Sequence, residues 1–143
     1  MIIIDTNVVS ELMRAKPGPE VLAWFAGHAA DTLFLTAVSE AELRTGAAIL
    51  PAGQRRDRLV GAIDAMIDQD FVGRILPFDS PAARCYAEIA AARRGAGKPI
   101  MDADCQIAAI ARACGAAIAT QNVKDFEGCG IDIINPWAEA EKR

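Results

Sequence analysis

The amino-acid sequence predicts an α/β fold built around a mostly parallel β-sheet. Three short apolar runs, at residues 1–4, 116–120 and 131–134, are typical of strands that are buried on both faces. Residues 32–35 and 74–76 are weaker strand candidates. Helical patterns separate these runs, and strands that alternate with helices favour a parallel sheet. In such sheets the functional crevice lies beyond the carboxyl ends of the strands, so the residues that follow each strand are the first candidates for a site.

Start and stop signals mark the predicted helices. Side chains that cap helices precede three helical patterns, at residues 5–7, 36–39 and 79–81. The pattern over residues 81–94 ends at Gly95 and Gly97, and the pattern over residues 101–114 ends at Gly115. The positions expected to face the core are Cys85, Ile89 and Ala92 in the former helix, and Ile107, Ile110, Ala111 and Cys114 in the latter.

Length and composition indicate a single domain that spans residues 1–143. The chain is 52% hydrophobic and carries a formal charge of -4, so it needs neither a disulfide nor a structural metal to fold. Its apolar runs are too short to cross a membrane, and no basic segment precedes the first of them, so we expect a cytoplasmic protein.

The four cysteines lack the C-x-x-C spacing of zinc and redox sites and are expected to be reduced. The acidic balance excludes a protein whose whole surface binds nucleic acid, but it permits a local basic rim.

Two acidic residues are candidates for the crevice on the amino-terminal side of the sequence. Asp5 directly follows the first strand and either caps the next helix or faces the crevice; the two roles are compatible because a carboxylate has several lone pairs. Glu42 lies one helical turn before Gly46, which leaves open space over its carboxylate. The alternative for Glu42 is a solvated acid that pairs with a nearby arginine.

Further polar candidates come later in the chain. Asp104 lies in the first turn of the predicted helix at residues 101–114 and leans toward its buried face, while Asp102 beside it is the better-placed cap. A buried hydrogen bond is the structural alternative for Asp104. After the late strand, Thr120 and Asn122 form a polar strand-to-helix turn, and Asp125 follows three residues later.

These acids would repel one another if the topology brought them together. Two carboxylates about 4 Å apart cost roughly 4 kcal/mol at an effective dielectric constant near 20. A protein that gathers them either shifts their protonation or binds a cation. Because the candidates offer oxygen ligands only, the expected ion is Mg²⁺ or Mn²⁺.

The sequence resembles the PIN-domain ribonucleases, and specifically the VapC-like toxins of the FitB type that belong to bacterial toxin–antitoxin pairs. The resemblance runs almost end to end and rests on six segments in order, at residues 4–7, 41–46, 74–79, 104–109, 119–122 and 135–137. It implies a three-layer α/β/α arrangement with a mostly parallel central sheet. It also implies the hydrolysis of single-stranded or loop RNA.

The resemblance assigns roles to the candidate residues. Asp5 and Asp104 would be the main ligands of Mg²⁺, with Mn²⁺ as a possible substitute, and Glu42 would complete the site directly or through water. Glu42 would also position or deprotonate the attacking water, and Asn122 would donate hydrogen bonds to phosphate or bound water. The family often has aspartate at the position of Asn122, and whether Asn122 or Asp125 serves as the fourth residue stays open.

The resemblance further implies partners. Toxins of this type form homodimers and are silenced by a small antitoxin of the VapB or FitA kind, which covers the acidic groove and contacts DNA through its own DNA-binding part. The apolar stretch at residues 21–25, which contains Trp24 and Phe25, is expected to lie in the core or to form part of that contact. Basic residues that could hold RNA are Arg14, Lys16, Arg55, Arg56, Arg58, Arg93, Arg94 and Lys98, of which the last three are favoured.

Three alternatives remain open at this point. A housekeeping PIN nuclease would share every motif, and a catalytically weakened PIN domain that binds RNA or protein is supported by Asn122 alone. Phosphoryl transfer through an aspartyl nucleophile would need a second aspartate two residues after Asp5, where the sequence has Asn7.

Overall fold

The computed structural model describes residues 1–139, so the last four residues of the predicted domain lie outside the described part of the chain. Five parallel strands form one sheet in the order β3-β2-β1-β4-β5. The strands are β1 (Ile2–Ile4), β2 (Leu33–Thr36), β3 (Ile75–Leu76), β4 (Ala117–Ala119) and β5 (Ile133–Ile134). The predicted parallel sheet is confirmed, including the two weaker strand candidates.

Helices connect the strands. They are α1 (Thr6–Leu12), α2 (Pro19–Ala26), α3 (Ala37–Ala48), α4 (Gln54–Ala65), α5 (Ser80–Gly95), α6 (Asp102–Cys114) and α7 (Val123–Phe126). All three predicted start signals act as caps, because the side chains of Asp5, Thr36 and Asp79 accept hydrogen bonds from backbone amides of the helices that follow. Gly115 ends α6 in the left-handed conformation, as predicted, at φ 65°. Within residues 1–139, no helix has the length and apolar character that crossing a membrane requires.

Two apolar cores, one on each face of the sheet, confirm the three-layer arrangement. Consecutive residues of the central strand β1 point to opposite faces: Ile3 packs with residues of α5 and α6, whereas Ile4 packs with residues of α1 to α4. Trp24 belongs to the second core, as one of the two interpretations of the 21–25 stretch predicted, and Phe25 packs against it.

The predicted inner faces of two helices need correction. Ala92 of α5 is exposed, because the buried stripe of this helix runs through Ala82, Ile89 and Arg93, which are spaced by seven and four residues. Cys114 of α6 is also exposed, because it lies in the last turn, after the buried stripe has ended at Ala111. All four cysteines are free, as expected from their spacing.

Candidate active site

The sheet order places Asp5 at the point where the topology reverses. Strand β1 lies between β2 and β4, so the helices that follow β1 and its neighbours leave the sheet on different sides and open a crevice at the carboxyl ends. Asp5 directly follows β1 and is only 4% exposed. Its Oδ1 accepts a hydrogen bond from the backbone amide of Thr6 at 2.8 Å, which makes it the N-cap of α1. Asp5 therefore caps the helix and borders the crevice at once.

The second oxygen of Asp5 is held by side chains from two strand ends. Asp5 Oδ2 accepts hydrogen bonds from Asn7 Nδ2 at 3.0 Å and from the Thr120 hydroxyl at 2.8 Å. Thr120 Oγ1 in turn accepts from Asn7 Nδ2 and from the backbone amide of Asn122, so its own proton is directed to Asp5. This network fixes the orientation of the Asp5 carboxylate.

The network does not remove the cost of burying this charge. Burial raises the pKa of Asp5, the hydrogen bonds from Thr120 and Thr6 lower it, and the charges of Glu42 and Asp125 raise it, with the balance above the ordinary value.

Glu42 reaches the same crevice from α3. Its Oε1 accepts a hydrogen bond from the Thr6 hydroxyl at 2.8 Å, and this hydroxyl also lies 2.9 Å from the buried Ser39 Oγ. The expected open space beside it is confirmed, because a Cβ added at Gly46 would meet nothing within 4 Å. The nearby arginine of α3, Arg44, instead forms ion pairs with two other acids, Glu40 and Asp64.

Asp104 lies in the first turn of α6 and is half-buried. Burial, followed by the charges of Asp5, Asp125 and Glu42, raises the pKa of Asp104 from 3.8 to about 6, while Arg93 lowers it by less. The charges of acids that are far apart in sequence thus act on one another across the crevice.

The predicted capping role of Asp102 is wrong. Met101 is the N-cap residue, and Asp102, the first residue of the helix, accepts a hydrogen bond from the Tyr86 hydroxyl at 3.0 Å.

The two candidates for the fourth position, Asn122 and Asp125, both lie at α7. Asn122 is exposed at the start of α7, and its backbone amide donates to Thr120 Oγ1 at 3.0 Å. Asp125 lies in α7, and its charge contributes to the raised pKa of both Asp5 and Asp104. The charge of Asp125 therefore acts on both acids, whereas Asn122 contacts Thr120 through its backbone amide, and the choice between them stays a prediction.

Arg93 is the largest departure from the sequence-based interpretation. It was expected among the favoured RNA-binding residues, but it is only 9% exposed. Its Nε donates to the carbonyl of Lys98, and its Nη1 donates to the carbonyls of Asp125 and Glu127 at 2.8 and 3.0 Å. Arg93 therefore ties the end of α5 to the segment that carries Asp125, because a buried guanidinium needs these acceptors.

The carboxylate oxygens of this site are suitable ligands for a divalent cation. Among residues 1–139, no three Asp, Glu, His or Cys side chains stand close enough to form a ready-made cage. Mg²⁺, however, usually keeps several waters and uses only one or two carboxylates. Asp5 accepts three hydrogen bonds out of about four lone-pair positions, which leaves one position for an ion. Burial and then charge repulsion raise the pKa of Asp104, and a cation would offset both effects.

The chain is similar to known proteins over nearly its full length. Residues 2–127 match the model of the PIN domain family. The chain is 46% identical over 140 residues to the VapC ribonuclease Y4jK of Sinorhizobium fredii, covering 98% of this chain and 100% of that protein. It is 39% identical to the toxin FitB of Neisseria gonorrhoeae, covering 96% and 99% of the two chains. The crystal structure of FitAcB from N. gonorrhoeae matches with a TM-score of 0.89 at 39% identity, over 96% of this chain and 99% of that one.

Proposed function

The chain belongs to the PIN domain family and has VapC and FitB relatives, and on this premise we propose that it is a metal-dependent endoribonuclease that acts in the cytoplasm as the toxin of a toxin–antitoxin pair. The observation that carries the proposal is the gathering of four acids at one crevice: burial of Asp104, followed by the charges of Asp5, Asp125 and Glu42, raises the pKa of Asp104 to about 6. Acidic side chains that are held together in a crevice and have perturbed pKa values are typical of catalytic sites.

Asp5 and Asp104 are the residues that would hold Mg²⁺, with Glu42 reaching it directly or through water. When bound, the ion supplies a bound water of lowered pKa and positive charge beside the phosphate. Glu42, held by the Thr6 hydroxyl, positions the attacking water or accepts its proton. Asn122 is exposed and offers its amide to the phosphate, while Asp125 supplies the fourth negative charge.

A small antitoxin is the proposed partner, and a groove in the structure supports it. The groove has a volume of about 570 Å³ and lies between α1, α2 and the end of α4, with Leu22, Phe25, Met66 and Phe71 among its walls. Leu22 is 45% exposed although it is apolar. A groove of this kind suits the apolar face of an amphipathic helix. We further propose that the toxin forms a homodimer and meets DNA only through the antitoxin.

The antitoxin contact has a direct test. Leu22→Asp, which places a charge in the groove, is expected to weaken binding of the antitoxin at least tenfold and to leave RNA cleavage within twofold of the wild type. Val72→Asp is the matched control, because Val72 is 66% exposed and does not line the groove. Antitoxin binding that Leu22→Asp leaves intact would place the partner elsewhere.

Cleavage is tested with the purified chain, freed of any antitoxin, and a panel of structured and single-stranded RNAs in Mg²⁺, Mn²⁺ or EDTA. We expect cuts in either metal, none in EDTA, and none with Asp5→Asn or Asp104→Asn. Asp102→Asn is the matched control: Asp102 lies two residues from Asp104 on the same helix but bonds to Tyr86 and should keep its activity.

The outcomes separate the alternatives. Absence of cleavage across the panel, with folded protein that binds Mn²⁺, would favour a catalytically weakened binding module, which the neutral Asn122 supports. Cleavage together with an antitoxin-like reading frame beside the gene would favour a toxin over a housekeeping nuclease.

A further inference from the structure

A second cavity is lined by Glu42 and does not include Asp104 among its walls. It has a volume of about 410 Å³ and lies between α1, α3 and α4. We call it the Gly46 pocket; its walls include Thr6, Glu42, Gly46, Leu50, Arg55 and Leu59. Thr6 and Glu42, which bond to each other, belong to both the pocket and the acidic site, so the two are continuous.

From this continuity we infer that the Gly46 pocket is a subsite for the nucleotide next to the scissile phosphate and sets the sequence preference of cleavage. This inference rests on the proposed ribonuclease function. It names the residues that select the substrate, which the acidic site alone does not do, because carboxylates and a cation act on the phosphate that every nucleotide shares.

The pocket has the chemistry that a nucleotide requires. Half-buried aliphatic side chains, Leu43, Leu50 and Leu59, form its floor, with the buried Ile63 behind them. Apolar side chains of this kind pack against the face of an unstacked base. These leucines line the same pocket as Glu42. Without a bound base, their apolar side chains would stay in contact with water.

Two arginines supply the positive charge for a flanking phosphate. Arg14 and Arg55 both line the pocket. Arg14 forms an exposed ion pair with Glu11 at 3.1 Å, so part of its charge is already neutralised. Arg55 forms no ion pair with any residue between 1 and 139, so its guanidinium is free to bind phosphate. The presence of arginines beside an apolar surface in one pocket favours a nucleotide over a wholly apolar ligand.

Gly46 keeps the pocket open. It lies in the interior of α3, where glycine is less favourable than any residue except proline, and a Cβ there would enter open space. A larger side chain at this position is therefore compatible with the helix and would occupy part of the pocket. Gly61 offers a matched control, because it lies inside α4, also has open space around its Cβ, and does not line the pocket.

The first experiment compares Gly46→Leu with Gly61→Leu on single-stranded RNA that carries a randomised stretch, with the cut ends sequenced. We expect Gly46→Leu to lower kcat/KM at least tenfold, mainly through KM, and to flatten the base preference beside the cut. Gly61→Leu should stay within twofold of the wild type. Both variants should melt at or above the wild-type temperature, because leucine favours helix more than glycine does.

The second experiment measures the salt dependence of RNA binding in EDTA, by the anisotropy of a labelled single-stranded RNA. Arg55→Ala should reduce the slope of log K against log salt by about 0.7, which is the contribution of one phosphate contact in a single strand. The control is Arg84→Ala, which removes an exposed arginine of α5 outside the pocket.

Three outcomes would overturn the inference. Wild-type kcat/KM and an unchanged cut profile for Gly46→Leu would remove the subsite and leave the ribonuclease function standing. Gly46→Leu that cleaves normally but escapes inhibition by the co-expressed antitoxin would make the pocket part of the antitoxin interface instead. Absence of cleavage by the wild type and by Gly61→Leu would refute the proposed function, and the subsite with it.

Discussion

Replacing Asp104 with asparagine is expected to stabilise the metal-free protein at neutral pH. Burial and the charges of Asp5, Asp125 and Glu42 raise the pKa of Asp104 from 3.8 to about 6. Between these two pH values the folded protein keeps a proton that the unfolded chain has lost. The stability that the protonated carboxyl contributes is therefore complete below pH 3.8 and is lost as the pH rises through about 6. Asparagine is neutral at every pH and escapes this loss.

The size of the effect follows from the same two pKa values. The interval from 3.8 to about 6 corresponds to about 3 kcal/mol, at roughly 1.4 kcal/mol for each pH unit. Asp104 is only half-buried, and solvent screening reduces this figure to about 1 kcal/mol. For a chain of this length, 1 kcal/mol raises the melting temperature by about 3 °C.

Thermal unfolding in EDTA at pH 7.5 and pH 4 measures the difference. Asp104→Asn should melt about 3 °C above the wild type at pH 7.5, and the gap should shrink to less than half at pH 4. Asp102→Asn should melt at or below the wild-type temperature, because an acid in the first turn of a helix is favourable there. Added Mg²⁺ should raise the wild-type melting temperature and so narrow the gap to Asp104→Asn.

Two results would refute this reasoning. A melting temperature for Asp104→Asn at or below the wild type at pH 7.5 would mean that the Asp104 carboxylate is not under repulsion in the folded state. An equal gain at pH 7.5 and pH 4 would mean that asparagine stabilises the helix for reasons unrelated to charge.

Three other substitutions test the remaining parts of the site. Asp5→Asn should lower the melting temperature as well as abolish cleavage, because both oxygens of Asp5 accept hydrogen bonds and an amide offers only one acceptor oxygen; equal melting temperatures would contradict the network with Thr120. Glu42→Gln should lose most cleavage and keep most of its Mg²⁺ affinity, measured by titration calorimetry, whereas equal loss of both would make Glu42 a direct ligand. Arg93→Lys should cost about 2 kcal/mol in urea unfolding, because lysine leaves a buried carbonyl unpaired, with Arg94→Lys, at an exposed position, expected within about 0.5 kcal/mol of the wild type.

The sequence was sufficient to predict most of the fold because each strand is short, apolar and followed by a polar turn. Asp5 and Thr120 could be assigned to one edge of the sheet because parallel strands end on the same side. The open space beside Glu42 could be predicted as well, because the absence of a side chain at Gly46 is a local fact. These predictions needed only the order of strands and the spacing of a helix.

Long-range partners could not be predicted in this way. The hydrogen bond between Thr6 and Glu42 joins residues 36 positions apart, and the bond between Thr120 and Asp5 joins residues 115 positions apart. Arg93 was misinterpreted because two consecutive arginines, at 93 and 94, are typical of a solvated surface. Only the packing of α5 against the segment after α7 determines which of the two is buried, and in the structure Arg93 finds backbone carbonyls there.

The two proposed ligands are prepared for a cation in different ways. Hydrogen bonds from Thr120 and Thr6 favour the charged form of Asp5 and offset part of the cost of its burial. Burial and the charges of Asp5, Asp125 and Glu42 disfavour the charged form of Asp104, and the charge of Arg93 favours it by a smaller amount. A cation bound at the proposed site would compete with the proton that Asp104 holds below about pH 6, so we expect its binding there to release a proton and to weaken as the pH falls.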